Sequence, residues 1–190
     1  MKLTDTTTYW FYMRASYGRA RKALDILTDM GVKAYLPVEH KKVREEESGR
    51  LKKIESYPLP SNIFICCTYK EAYELTSRSL SDHYVEFLDF AFDHTCIDSS
   101  TGKNPVITIP NQVMERFIQV TDIDHPGAHF VKPDEVFTPG AKVRVIGGPF
   151  EGAVGNVAHL YGKKRVVVSI PGIISYATAY INSQYLEVID

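Results

Sequence analysis

The chain has 190 residues, of which 44% are hydrophobic and 24% charged, a composition typical of one large or two small folded domains. No apolar run approaches the roughly 20 residues of a membrane helix, and the start of the chain lacks the apolar core of a signal peptide. Three cysteines, two of them adjacent, form neither a disulfide framework nor paired zinc-ligand spacing. These features predict a cytoplasmic protein with no membrane partner.

The net charge of −1 conceals an uneven distribution of charge along the chain. Residues 1–70 hold 13 Lys/Arg against 8 Asp/Glu, residues 71–135 hold 4 against 12, and residues 136–190 hold 5 against 3. A basic first third can meet phosphates, but the total charge does not suit a protein that coats nucleic acid unaided. We therefore expect guided binding to something already attached to nucleic acid.

The first third of the chain predicts a tail, a strand, a helix and a second strand. Residues 1–8 are polar and expected to be disordered. The aromatic run Tyr9–Arg14 predicts a strand. Apolar residues at helical spacing from Ala20 to Met30 predict a helix that ends at Gly31, and VKAYLPVE predicts a strand that ends near Pro37.

Cations cluster at the start of this helix. Arg19, Arg21 and Lys22 oppose the helix dipole, which favours negative charge at an N-terminus. Their placement suggests an anionic partner, while a merely solvated first turn is an equally good interpretation.

Residues 39–56 hold few apolar side chains and charges of both signs. We interpret them as an exposed hairpin or mobile loop with Glu45, Glu46 and Glu47 near its tip. Such a charge run is usually solvated surface, and a loop that faces a polymerase or DNA is the alternative.

The middle of the chain predicts further strands and helices. Ile63–Cys67 is apolar on both faces and predicts a buried strand, followed by a short helix over Lys70–Arg78. Val85–Cys96 predicts a strand that carries Phe87, Phe90 and Phe92, and Asn111–Val120 predicts a last helix. Residues 121–135 have two prolines and no periodicity, so we interpret them as a linker.

The C-terminal part is centred on the glycine-rich stretch from Gly140 to Val157. Valines on either side of Gly-Gly-Pro predict two strands joined by a sharp turn, with glycine where strands approach too closely for a Cβ. Three further β-branched runs follow, and five short strands in about fifty-five residues predict a small closed barrel. The pattern PG-x-x-VRVxxGPFxGxxGxV resembles a KOW motif, whose motif and partner surface would comprise Gly147, Gly148, Pro149, Phe150, Gly152, Ile170 and Pro171.

The order of elements is similar to that of the NusG family of transcription elongation factors. WFYMRASYG (Trp10–Gly18) and LPSNIFI (Leu59–Ile65) carry the resemblance, and SNIFI, ITIP-NQVMERFIQV and VVVSIPG are most similar to the UpxY antiterminators of capsular polysaccharide operons, specialised paralogues like RfaH. The resemblance implies an α+β protein. An NGN-type α/β sandwich (9–120) that binds RNA polymerase would precede the linker (121–135) and an all-β, SH3-like KOW barrel (136–190).

The resemblance also implies partners and sites. The NGN domain would bind the clamp helices of the largest RNA polymerase subunit and would meet non-template or upstream DNA. The KOW barrel would contact a ribosomal protein, nascent RNA or another factor, and we expect a monomer. Polymerase-binding candidates carried over by position are Trp10, Tyr12, Leu59, Pro60, Ile63 and Phe64, although in alternating strands only about half of such residues face outward. Nucleic-acid candidates are Arg14, Arg19, Arg21 and Lys22.

Two departures from the family pattern favour a specialised antiterminator over a general elongation factor. Asn62 stands where an aromatic residue is usual. In the barrel, Ser169–Ile173 reads SIPGI where general NusG proteins tend to carry Ser-Ile-Phe-Gly-Arg, so contact with Rho is in doubt.

Catalysis is the least favoured class of function. The six histidines are scattered, the cysteines give too few ligands for zinc, and Gly147-Gly148 lacks a P-loop lysine. We expect no cofactor, no metal and no enzymatic activity. Two alternatives stay open: a KOW-type RNA- or ribosome-binding protein that uses the Lys163-Lys164-Arg165 turn, and an adaptor whose barrel binds only proteins.

Overall fold

The computed structural model describes residues 6–45, 49–78, 80, 82–132, 135 and 137–189. Within these ranges the chain is mixed α/β, with mostly strands and three α-helices. In chain order the elements are β1 (Thr8–Ala15), α1 (Ala20–Asp29), β2 (Lys33–Tyr35), β3 (Glu39–Arg44), β4 (Leu51–Ser56), β5 (Asn62–Thr68), α2 (Tyr69–Thr76), β6 (Leu88–Phe90), β7 (Thr108–Ile109), α3 (Asn111–Thr121), β8 (His129–Phe130), β9 (Lys142–Val145), β10 (Val154–Leu160), β11 (Lys163–Ile170), β12 (Ile174–Ala177) and β13 (Leu186–Val188).

The chain divides into two compact units. The first consists of Met1–Pro37 and Tyr57–Asn111, and the second of Val38–Ser56 and Gln112–Asp190. The β3–β4 hairpin and α3 therefore group with the C-terminal strands, whereas the sequence places both in the N-terminal domain. Contacts inside the second unit account for the difference. Lys53 of β4 pairs with Asp124, and the ring of Phe117 on α3 lies 6.4 Å from that of Phe130 on β8.

The first unit is built on an antiparallel sheet in the order β2-β5-β1-β6, with β7 also paired to β1. Residues alternate along β1 and β5, and one set packs with α1 and α2 in a single core cluster. From β1 and β5 this core takes Phe11, Met13, Ala15, Ile63, Ile65 and Cys67, all buried.

Helix α1 forms as its pattern predicts. Ala20, Ala23 and Leu27 are fully buried on one face. Gly31 follows the helix at a φ of +71°, a conformation that glycine adopts without the Cβ penalty of other residues. The predicted helix and its glycine stop are confirmed.

Helix α2 is fixed at its start by a reciprocal pair of hydrogen bonds. The Glu71 backbone N–H donates to Thr68 Oγ1 over 3.2 Å, and the Thr68 backbone N–H donates to Glu71 Oε2 over 2.8 Å. These bonds satisfy N–H groups that have no partner inside the helix. The hydrogen bonds from Thr68 lower the pKa of the Glu71 carboxyl below its ordinary value.

We expect Glu71→Gln to make stability less dependent on pH. Because the folded pKa of Glu71 is lowered, the charged form contributes stability above the unfolded pKa of about 4.3. That contribution is lost as pH falls through the lower folded pKa. At pH 7 the variant should be less stable by about 0.5 kcal/mol, and the gap should close as pH falls from the unfolded pKa through the lower folded pKa.

Urea unfolding at pH 7 and pH 3 measures this gap, with Glu74→Gln on the same helix as the control for a lost charge. A gap that is the same at both pH values would contradict the assignment.

The second unit contains an antiparallel sheet in the order β13-β9-β10-β11-β12-β8. The five strands predicted for the C-terminal part are present, and β8 is an additional one. Segment 121–135, predicted to be a linker, supplies β8 and with it the buried Phe130, whose ring lies 4.9 Å from that of Tyr176. A two-residue strand held by distant partners leaves no periodic pattern for the sequence to display.

Three other expectations concern segment limits. The hairpin predicted for 39–56 is confirmed as β3 and β4, with Glu45 just after β3, while Glu46 and Glu47 lie outside the described residues. Of the predicted tail, residues 1–5 also lie outside them, and Thr8 already belongs to β1. The strand predicted over Val85–Cys96 reduces to β6. Asp93 ends the extended segment, because its carboxylate accepts hydrogen bonds from the backbone N–H and hydroxyl of Thr95.

Candidate functional site

The residues proposed to bind a polymerase do not form one exposed surface. Ile63 is fully buried in the core beneath the helices. Phe64 follows Ile63 on β5, and Trp10 lies on β1 opposite Cys66. By the alternation of side chains, Phe64 and Trp10 share the face opposite to that of Ile63, and they are 0% and 2% exposed. None of the three has an exposed side chain in this conformation, and their role as polymerase contacts stays a prediction.

The accessible members of that set are Tyr12, Leu59 and Pro60. Tyr12 is half-buried, its ring lies 5.2 Å from that of Phe64, and burial raises the pKa of its phenol to about 12. Leu59 is half-buried and Pro60 is exposed. The Pro60 carbonyl accepts a hydrogen bond from the backbone N–H of Ala20 over 3.0 Å. Leu59 and Pro60 therefore lie beside the start of α1, next to the predicted cations.

Two of the four predicted nucleic-acid residues pack against one aromatic ring. The guanidinium carbon of Arg19 lies 4.3 Å from the centroid of Phe87, and Nζ of Lys22 lies 5.7 Å from it. Arg19 Nε also donates to the carbonyl of Ser16 over 2.9 Å. The ring and the carbonyl thus hold Arg19 in place, while Lys22 is exposed.

The other two cations form ion pairs on the surface. Arg14 lies 3.4 Å from Asp89 on the neighbouring strand, and Arg21 lies 3.1 Å from Asp25 one helical turn away. More than half of each arginine side chain is exposed. Exposed pairs of this kind contribute at most about 1 kcal/mol, so either arginine can exchange its carboxylate for a phosphate.

Tyr17 is a candidate that the sequence reasoning missed. Its side chain is 91% exposed, and its φ of +62° is unfavourable for a bulky residue. The Arg19 guanidinium lies 5.2 Å from the Tyr17 ring. An exposed aromatic in a strained turn between Arg14 and Arg19 suits stacking against a base or a planar group. The available signal was an aromatic residue directly before a turn glycine and flanked by cations.

In the second unit, the glycine-rich turn borders a groove of about 230 Å³. Gly148 and Gly152 have φ values of +84° and +85°, which confirms the need for glycine in this turn. The ring of Tyr185 packs so closely on Gly147 that a Cβ there would lie 2.8 Å from it. The groove is lined by His125, Gly147, Gly148, Pro149, Phe150, Ala179, Tyr180, Ile181, Asn182 and Tyr185.

The predicted partner surface of this unit is brought together only in part. Gly147, Gly148, Pro149 and Phe150 line the groove, although Phe150 itself is only 2% exposed. Gly152, Ile170 and Pro171 are not among the lining residues. Ile170 is buried at the end of β11, and Pro171 is exposed in the turn that follows.

The Lys163-Lys164-Arg165 run does not have the arrangement expected for a turn that contacts phosphates. Arg165 is 8% exposed and donates to the carbonyls of Gly127 and Thr178. Its guanidinium therefore binds backbone inside this unit and is not available to a phosphate. Lys164 donates to Ser183 Oγ over 3.0 Å, and Lys163 is exposed. Three adjacent cations therefore do not present a joint phosphate site here.

Residues 139–169 match the KOW motif. They cover β9, β10 and β11 with the glycine-rich turn, and a KOW motif is consistent with a NusG-like or an RNA-associated protein. No curated protein matches the chain significantly.

Among the described residues, no helix has the length and apolar character to cross a membrane. In the same ranges, no group of three or more His, Cys, Asp or Glu residues is arranged to hold a metal ion.

Proposed function

We propose that this chain is a NusG-type transcription factor that binds elongating RNA polymerase in the cytoplasm and acts by binding rather than by catalysis. The KOW motif at residues 139–169 is the observation that carries the proposal. A separate mixed α/β unit accompanies it, as expected for a factor whose N-terminal domain contacts the polymerase. Under this proposal the chain works as a monomer without cofactor or metal.

The first unit would supply the polymerase and DNA contacts. Tyr12, Leu59 and Pro60 are the accessible members of the set aligned with the family's clamp-helix patch. Trp10 and Phe64 would support Tyr12 from within the sheet. Close by, Arg14, Arg21 and Lys22 would contact phosphates of non-template or upstream DNA without reading sequence, and the exposed Tyr17 would stack on an unpaired base.

We further propose the specialised role of the UpxY type, antitermination in long polysaccharide operons. The SIPGI turn supports it, because Pro171 and Ile173 stand where general NusG proteins tend to place the aromatic and cationic residues that contact Rho or a ribosomal protein. The groove beside Pro149 and Tyr185 is the alternative surface for a protein that binds this unit.

The proposal is tested by transcription with RNA polymerase from the organism that encodes the chain. A template with a terminator downstream of a candidate operon leader should yield more full-length transcript when the protein is added. An equal yield with and without protein on every leader tested would remove the antitermination role.

The second candidate function is RNA or ribosome binding through the second unit, which contains the KOW motif. The arrangement around β11 disfavours it, because Arg165 is buried and Lys164 is bonded to Ser183. Gel-shift assays with structured RNA and with ribosomes would distinguish the two. Binding to RNA in the absence of any effect on polymerase would favour this second function.

A further inference from the structure

The β3–β4 hairpin is a two-stranded ribbon whose two faces carry different charge. In the register, Lys42 lies opposite Lys53, Arg44 opposite Leu51, and Lys41 opposite Ile54. Because side chains alternate between the faces of a strand, the basic face consists of His40, Lys42, Arg44, Leu51, Lys53 and Glu55. The other face consists of Glu39, Lys41, Val43, Lys52, Ile54 and Ser56.

The basic face places like charges together. Lys42 and Lys53 occupy directly opposite positions, an arrangement that destabilises a strand pair. Arg44 adds a third cation one step further along the same face, and both strands are exposed over nearly their whole length. A ribbon with this pattern is more stable when an anion lies on it.

One carboxylate partly fills this role within the unit. Asp124 Oδ2 lies 2.5 Å from Lys53 Nζ, and both side chains are at least half exposed. The hydrogen bond and charge of Lys53 hold the pKa of Asp124 low, with smaller contributions from His40 and Lys42. On the other face, the charge of Lys41 is paired within the hairpin. Its Nζ lies 3.0 Å from Glu39 Oε2 and donates to Ser56 Oγ over 3.2 Å.

We propose that the basic face of this hairpin binds the backbone of duplex DNA, with Lys42, Arg44 and Lys53 on phosphates and Asp124 as an internal competitor for Lys53. The major groove of B-DNA is about 12 Å wide and admits a two-stranded ribbon. The major groove of A-form RNA is deep and narrow and does not. This surface is distinct from the one beside α1, and the proposal does not depend on polymerase binding.

Matched double variants of the full chain test the proposal. Lys42→Gln/Lys53→Gln removes two lysines from the basic face, and Lys41→Gln/Lys52→Gln removes two from the other face of the same strands. Each pair changes the net charge equally, and each contains one lysine with a partner in the structure. Fluorescence anisotropy with a 20-base-pair DNA duplex measures binding as a function of salt, and circular dichroism checks folding.

We expect the basic-face variant to lose about tenfold in affinity and to lower the slope of log K against log salt by about 2, roughly one per phosphate contact. The control variant should change both quantities much less. Equal losses in the two variants, or no loss in either, would overturn the proposal.

Asp124→Asn provides an independent test, because it frees Lys53 without adding a cation. We expect this variant to bind the duplex several-fold more tightly than the wild type. Unchanged or weaker binding would remove Asp124 from the proposal. An RNA duplex of the same sequence bound as tightly as the DNA would overturn the assignment to B-form DNA.

Discussion

Replacing Gly155 by alanine should destabilise the second unit by about 3 kcal/mol or more, or prevent it from folding. Gly155 lies on β10 where this strand crosses close to β11. A Cβ added there would lie 2.9 Å from the carbonyl carbon of Val167, still closer to its oxygen, and 3.0 Å from a methyl of Val166. The obstacle is backbone of a paired strand, which cannot rotate away as a side chain can. Thermal unfolding followed by circular dichroism measures the effect.

Gly162→Ala is the control for this substitution. Gly162 also lies in the second unit and has a φ of +70°, but an added Cβ meets nothing within 4 Å. Its cost should be limited to the backbone penalty of about 1–2 kcal/mol. Equal losses of stability in both variants would contradict the steric explanation for Gly155.

Replacing Phe11 by alanine should cost the first unit about 3–5 kcal/mol. Phe11 is fully buried on β1 at the centre of an aromatic cluster. The ring centroids of Phe90, Tyr9 and Tyr69 lie 5.9, 6.0 and 6.4 Å from its own. Removing the ring leaves a cavity that β1, β6 and α2 cannot close without moving. Urea unfolding monitored by tyrosine and tryptophan fluorescence measures the loss.

Phe92→Ala removes the same ring from the edge of this cluster. Phe92 is 45% exposed and lies 6.4 Å from Phe90, so its removal should cost about 1 kcal/mol or less. A loss for Phe92→Ala as large as that for Phe11→Ala would show that the cluster is not the core of this unit.

Segments whose own pattern determines them were predictable from the sequence. Helix α1 has its apolar residues on one face and a glycine at its end. β11 reads as a strand because Val166, Val167 and Val168 are apolar without a break and β-branched, and all three are buried. The turn glycines Gly148 and Gly152 could be placed because a Gly-Gly-Pro run between valines allows few other conformations.

Segments determined by distant partners were not predictable. β7 and β8 have two residues each, and only their pairing with β1 and β12 makes them strands. The assignment of α3 to the second unit depends on Phe117 and Phe130, which are separated by 12 intervening residues and share no local pattern.

The sequence also does not show which of the candidate site residues are exposed. Ile63 and Phe64 are adjacent and equally apolar, and nothing in the run from Ile63 to Cys67 reveals which face is covered. Alternation places them on opposite faces of the sheet, and both are buried. The cations near α1 were identified from the sequence, but the exposure and the positive φ of Tyr17 are properties of the folded turn.

Capture of an assembled elongation complex by the full chain tests the proposed binding to RNA polymerase most directly. The wild type and Phe92→Ala should retain RNA polymerase from the organism that encodes the chain. Leu59→Ser/Pro60→Ser should retain clearly less at equal folded content, because it alters accessible residues rather than the buried Ile63 and Phe64. Failure of the folded wild type to retain polymerase at low salt would contradict the proposal that the chain binds RNA polymerase. That result would favour RNA or ribosome binding instead.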